Sequence, residues 1–104
     1  MKIRLFDDSI VKFVESLEKP AIAKVLRTID LLEVFGHKLT MPHSKKVGEN
    51  LFELRIRGRQ EIRILYAFHK NEAVLLIGFV KKTGRIPSRE IETANERIKR
   101  LDRI

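Results

Sequence analysis

Three apolar runs joined by short turns constrain this chain more than any other feature: LFELRIR at 51–57, EIRILYAFH at 61–69 and AVLLIGFV at 73–80. Strands this close in sequence pair antiparallel with their neighbours, because a parallel pairing needs a long crossover. In the first run Phe52, Leu54 and Ile56 share one face, and Glu53, Arg55 and Arg57 the other. The second repeats the scheme, with Ile62, Ile64, Tyr66 and Phe68 opposed to Glu61 and Arg63. The third is apolar on both faces, as a central strand is. Gly58-Arg59 and Lys70-Asn71 supply the turns.

The flanks read as one further strand and three helices. KIRLF at 2–6 alternates, with Ile3 and Leu5 expected inward, and Asp7, Asp8 and Ser9 offer helix-capping oxygens. Ile10, Phe13, Val14 and Leu17 then fall on one helical face as far as Pro20, which ends that helix and suits the first turn of the next. Ile22, Val25, Leu26, Ile29, Leu32 and Phe35 continue the period to Gly36, a natural C-cap. Residues 37–50 show neither period and are expected to form a surface loop. After Lys81, Lys82 and a loop to Ile86, Pro87 and Ser88 introduce a last helix whose Ile91, Ala94, Ile98 and Leu101 form a stripe expected in the core. The order strand, helix, helix, three strands, helix describes one α+β domain over 1–104, a small, mainly antiparallel sheet with a helical hairpin on one face.

Within 104 residues there is no cysteine, so disulfide scaffolds, cysteine metal sites and thiol chemistry are excluded. A chain this long buries roughly two-thirds of its unfolded surface without a staple. No apolar run reaches the roughly 18 residues of a membrane span, and a cytoplasmic product with no membrane partner is expected. The charge is uneven. Residues 1–36 carry six basic and six acidic side chains, whereas residues 37–85 carry eleven Lys or Arg against Glu49, Glu53, Glu61 and Glu72, a net of 11 − 4 = +7. A localised basic surface is the footprint of a polyanion partner.

The alternation directs Arg55, Arg57 and Arg63 to the face away from the hairpin, which is expected to be open. Lys81 and Lys82 leave the next strand near its edge, with Arg85 just beyond, and Lys45 and Lys46 lie in the loop before the sheet. Guanidinium forks on such a face suit phosphodiesters. Tyr66, Phe68 and Phe79 are expected in the core rather than as base-stacking platforms. His37, His43 and His69 are scattered, and of these His43, in MPHSKK, is the best placed for proton exchange. Glu53 and Glu61 suit cross-strand ion pairs with the strand arginines better than a metal site, so neither metal nor cofactor is expected. RNA cleavage is compatible with such a surface, because the 2′-hydroxyl is the nucleophile and fixed cations can stabilise the phosphate. A lysine crowded by other cations gives up its proton more readily, which singles out the adjacent Lys81 and Lys82.

The stretches MPHSKKVGENLFELRI, IRILYAF and LLIGFVKKTGRIPSREIETANERI resemble the phage-derived HigB-like branch of the RelE/ParE toxin superfamily, over nearly the whole chain. The resemblance implies a compact RelE-like fold and the toxin of a type II toxin–antitoxin pair. It also implies cleavage of mRNA, commonly on the ribosome, and a cognate antitoxin, often a helix-turn-helix protein of the HigA type. Arg63 then resembles the phosphate-stabilising arginine, Arg55 and Arg57 the basic pair on the preceding strand, and Lys81 and Lys82 the basic strand end. Several relatives place a tyrosine or histidine after the last strand, and this chain has neither beyond His69. The proton-transfer group is left open among His43, a lysine and a ribosomal group. A ParE-like inhibitor of DNA gyrase and an inactive phage-derived binding module are the alternatives on the same fold.

Overall fold

Short turns make antiparallel neighbours of the three apolar runs, and the rest of the chain is laid on the ribbon they form. In a computed structural model that describes residues 1–101, the order is β1 (Lys2–Leu5), α1 (Ser9–Glu15), α2 (Lys19–Phe35), a 3-10 turn at Gly36–Lys38, β2 (Ser44–Gly48), β3 (Leu51–Ile56), β4 (Ile62–His69), β5 (Glu72–Val80) and α3 (Ser88–Leu101). The five strands form one sheet in the order β1-β5-β4-β3-β2, with only the β1–β5 pair parallel. Lys70 and Asn71 turn β4 into β5 with φ of 48° and 65°, the left-handed pair that matches the twist of a two-residue hairpin. Pro20 sits in the first turn of α2, and Gly36 ends that helix at φ 53°.

The α+β class and the hairpin on one face stand as expected. Ile10, Leu17, Val25 and Leu32 of the hairpin pack on Leu54, Ile56, Ile62, Ile64, Tyr66 and Leu75. Two expectations need correction. The segment 37–50 is not wholly loop, because Ser44–Gly48 is an edge strand paired with β3, bulged between Lys46 and Gly48. Nor is the second sheet face open: Ala94 and Leu101 of α3, flanked by Ile91 and Ile98, bury Leu65, Ala67, Val74, Leu76 and Phe79. The stripe of α3 is core, as its spacing implies. β4 is therefore buried without interruption from Ile62 to Ala67. Leu5, expected inward, is 40% exposed on edge strand β1.

Ser44 ties the edge strand to the centre. Its hydroxyl shares a hydrogen bond of 2.5 Å with the buried Tyr66 hydroxyl, and burial raises the Tyr66 pKa while that bond acts the other way.

On the hairpin side Gly78 faces Phe13. A Cβ at Gly78 would stand 2.4 and 2.5 Å from Phe13 ring carbons, so α1 approaches β5 this closely because the position has no side chain. Gly78→Ala is expected to lower stability by about 1–3 kcal/mol, several degrees in Tm, although alanine suits a strand better than glycine. Phe13→Leu in the same chain should restore part of the loss. Thermal unfolding of the three variants checks this, and a Gly78→Ala protein as stable as wild type contradicts it.

Candidate nucleic-acid interface

Antiparallel pairing brings one end of each of β2, β3, β4 and β5 to the same edge of the molecule. Arg55 pairs with Arg63 and Arg63 with Phe79; Ile56, Ile62 and Val80 form the next rung. Beyond it, the Lys81 N–H donates to the Glu61 carbonyl at 2.7 Å. On the β2 side, the Arg55 N–H donates to the His43 carbonyl at 2.8 Å. His43, Arg55, Arg57, Arg63, Lys81 and Lys82 are thus gathered at this end, as a basic site requires.

A groove of about 270 Å³ opens there between α2 and β3, lined by Lys24, Arg27, Thr28 and Leu31 of α2, by Pro42 and His43, and by Arg55, Ile56 and Arg57. Four of these residues are lysine or arginine and none carries a carboxylate. Lys24, Arg27 and Arg57 are exposed, whereas Arg55 and His43 are half-buried. The Lys24 ammonium reaches the Arg57 carbonyl at 3.4 Å, and the Thr28 hydroxyl is spent on the Lys24 carbonyl at 2.8 Å. Like charges lining a low-dielectric trough focus potential on whatever enters. Lys81, half-buried, and Lys82, exposed, end β5 two strands away, about 10 Å at ordinary sheet spacing. Arg85 is exposed in the following loop. Lys45 and Lys46 are both exposed, but in strand β2 they point to opposite faces, Lys45 across from Glu53 and Lys46 from Phe52.

Arg63 departs from expectation. It is 2% exposed and its guanidinium is engaged on three sides: Nη1 donates to the Ile62 carbonyl at 2.9 Å, Nη2 to Glu61 at 3.1 Å, and Nε lies 3.7 Å from Glu53. Glu53, equally buried, also meets the Arg55 Nε at 3.4 Å. Two arginines and two glutamates form a neutral cluster; the Glu53–Arg63 pair crosses strands as expected, whereas Glu53–Arg55 and Glu61–Arg63 join residues two apart in one run. The Glu61 carboxyl is held below the usual range, first by the Gly58 N–H, against an opposing effect of burial, and then by Arg63 and Arg57. An arginine so enclosed is not a side chain on an open surface that contributes little to packing.

Lys24 and Arg27 are absent from the sequence reading. They lie off the apolar stripe of α2 in a segment of balanced charge, and the balance conceals that no acidic side chain of α2 lines the groove. Among the described residues no group of three His, Asp or Glu side chains comes together to hold a metal ion. No described helix is long and apolar enough to cross a membrane.

Residues 12–99 match the family described as phage-derived protein Gp49-like (DUF891). The chain belongs to this family. The Gp49-like match contains every groove residue and the Lys81–Lys82 end. The chain is also similar to a curated Mycobacterium tuberculosis protein named "Putative toxin HigB3", 43% identical over 68 residues, 61% of this chain. It spans 59% of that relative's length. Both findings bear out the resemblance to the HigB-like branch at the level of family.

The two kinds of arginine in this Gp49-like chain separate by stability. Arg63→Ala strands a buried carboxylate and is expected to cost about 3 kcal/mol or more, upward of roughly 10 °C in Tm. Arg57→Ala, at an exposed groove wall, should stay within about 0.5 kcal/mol of wild type. Urea and thermal unfolding of the two variants check this, and equal melting temperatures contradict it.

Proposed function

We propose that the protein is the toxin of a type II toxin–antitoxin pair, an endoribonuclease that binds mRNA along the cationic groove and the Lys81–Lys82 strand end and cuts it on the ribosome. The observation that carries this reading is the groove itself, four lysine or arginine side chains without a carboxylate in a chain of the Gp49-like family. In the proposed reaction the ribose 2′-oxygen forms a bond to the adjacent phosphorus as the bond from phosphorus to the 5′-oxygen breaks, leaving a 2′,3′-cyclic phosphate. Arg55 and Arg57 hold the phosphate oxygens as charge grows on them, and the cations this needs are carried on the chain, so no metal is invoked. Each such donor supplies about 2–4 kcal/mol of barrier reduction. Lys81, Lys82 and Arg85 extend the backbone contact past β4, with Lys45 and Lys46 on the flanking strand.

His43 is assigned the proton transfer. It is the one imidazole, and the one His, Asp or Glu, among the groove-lining residues, and an imidazole both accepts and returns a proton at physiological pH. A cognate antitoxin, of the helix-turn-helix HigA type that the resemblance implies, would silence the enzyme by covering this surface, and the site of action is the cytoplasm.

The experiment is a reconstituted translation reaction with the purified chain and an mRNA carrying a single 2′-deoxynucleotide at the mapped cut site. Cleavage of the all-ribose message with a 2′,3′-cyclic phosphate end, and none at the deoxy position, is the expected result. Unimpaired cutting at the deoxy position contradicts the 2′-hydroxyl step. Intact message together with altered DNA supercoiling in cells expressing the chain would assign it to gyrase instead.

A further inference from the structure

We propose that Glu53 is a positioning residue for RNA binding, a buried carboxylate backed by the Arg63 charge that fixes the guanidinium of Arg55, a residue of the groove lining. The inference rests on the RNA-binding reading above and assigns a task to Glu53 and Arg63, which that reading leaves unused. Three observations carry it.

The first is the cost of the cluster. Glu53 and Arg63 are each 2% exposed in a sheet whose other buried positions are almost all apolar. Buried ion pairs of this kind are commonly no more stabilising than well-packed apolar side chains of the same volume. Stability alone therefore does not account for them. The second is the asymmetry between the two arginines. Arg63 spends its terminal nitrogens on the Ile62 carbonyl and Glu61. Arg55 does not: its Nε faces Glu53 at 3.4 Å, while its outer nitrogen Nη1 meets only the Met41 thioether at 3.4 Å. A thioether is a weak acceptor. The outer half of a guanidinium only 12% exposed thus has no oxygen partner, and this residue lines the groove. The third is direction. Glu53 lies between the two Nε atoms, 3.4 Å from one and 3.7 Å from the other, and neither Nε has a hydrogen bond, so the ion pair with Glu53 is what holds each. Arg63 anchors the carboxylate, the carboxylate anchors Arg55, and the fork of Arg55 is left for an anion.

Holding the fork in place removes its ordering cost from the binding step, an effect of about 2- to 10-fold in affinity per immobilised side chain. The sign separates positioning from simple charge. Glu53→Gln adds one positive charge to the chain, so if Glu53 acted only as a nearby anion its loss would tighten RNA binding. Positioning requires the opposite.

The test is a cycle of full-length variants (wild type, Glu53→Gln, Arg55→Ala and the double variant), with Glu53→Asp as a charge-conserving member and Arg57→Ala as a control on the groove. The probe is a labelled, uncleavable 2′-O-methyl RNA of about 12 nucleotides. Glu53→Gln is expected to weaken binding by about 2- to 10-fold, and to cause no weakening when Arg55 is already alanine. Binding by Glu53→Gln as tight as wild type, or an equal loss in both backgrounds, overturns the proposal. Unchanged binding by both Arg55→Ala and Arg57→Ala would instead overturn the RNA-binding reading of the groove. Should Glu53→Gln fail to fold, Glu53→Asp carries the same cycle. The wild-type protein gives an independent reading: the Arg55 Nε–Hε resonance should be resolved and protected from exchange without RNA, and a solvent-averaged Arg55 resonance overturns the anchoring.

Discussion

A guanidinium in the middle of a strand buried on both faces can exist only if carboxylates reach it, and Arg63 in β4 imposes that condition on its neighbours. Glu53 on β3 and Glu61, just before β4, meet it, at 3.7 and 3.1 Å. The requirement fixes more than one contact. It commits the inward-facing charges of two strands to one another, and it leaves Arg55, a residue of the groove lining, as the member of the cluster whose outer nitrogen Nη1 has no oxygen partner. The register of β3 on β4 sets Arg55 opposite Arg63 and Glu53 opposite Leu65. A one-residue slip would carry the whole charged set to the hairpin side.

With the sheet covered by the hairpin on one side and α3 on the other, a group of cations stands just beyond the ends of β3 and β5. Arg57, Lys81 and Lys82 lie past the last rung of the ladder, and α2 adds Lys24 and Arg27 from above. Such a cluster repels itself and contributes nothing to folding. It is held together by Leu54, Ile56, Ile62 and Ile64 beneath it, which pack on Val25 and Leu32 of the hairpin. Stability resides in the apolar faces, and the proposed recognition at their margin.

Much of this is legible in the residues. Pro20 and Gly36 bound the second helix, the alternation of 51–57 and 61–69 sorts core from charge, and the pairing of Glu53 and Glu61 with arginines follows from spacing alone. β2 is not legible, because SKKVG has no apolar alternation and gains strand geometry only by pairing with β3. The facing of β5 is hidden too, since every residue of AVLLIGFV is apolar or glycine and a register shift leaves Leu76 without a partner on β4. The burial of Arg63 is the instructive case. Alternation says which face a side chain takes and not what lies over that face. The stripe Ile91, Ala94, Ile98, Leu101 carried the missing information: with the hairpin on one face, a second amphipathic element can bury its stripe only on the other. Lys24 and Arg27 were masked by a local charge sum of zero, which has no spatial content.

We propose recognition at the strand ends and the α2–β3 groove rather than across a sheet face. Titration of the isotopically labelled protein with single-stranded RNA, followed by backbone and arginine side-chain NMR, tests it most directly. Shifts are expected to concentrate at Lys24, Arg27, His43, Arg55, Arg57, Lys81 and Lys82, with α3 and the outer face of α1 unmoved. Shifts centred on α3 or on the outer hairpin surface, with the groove unchanged at saturation, would contradict it.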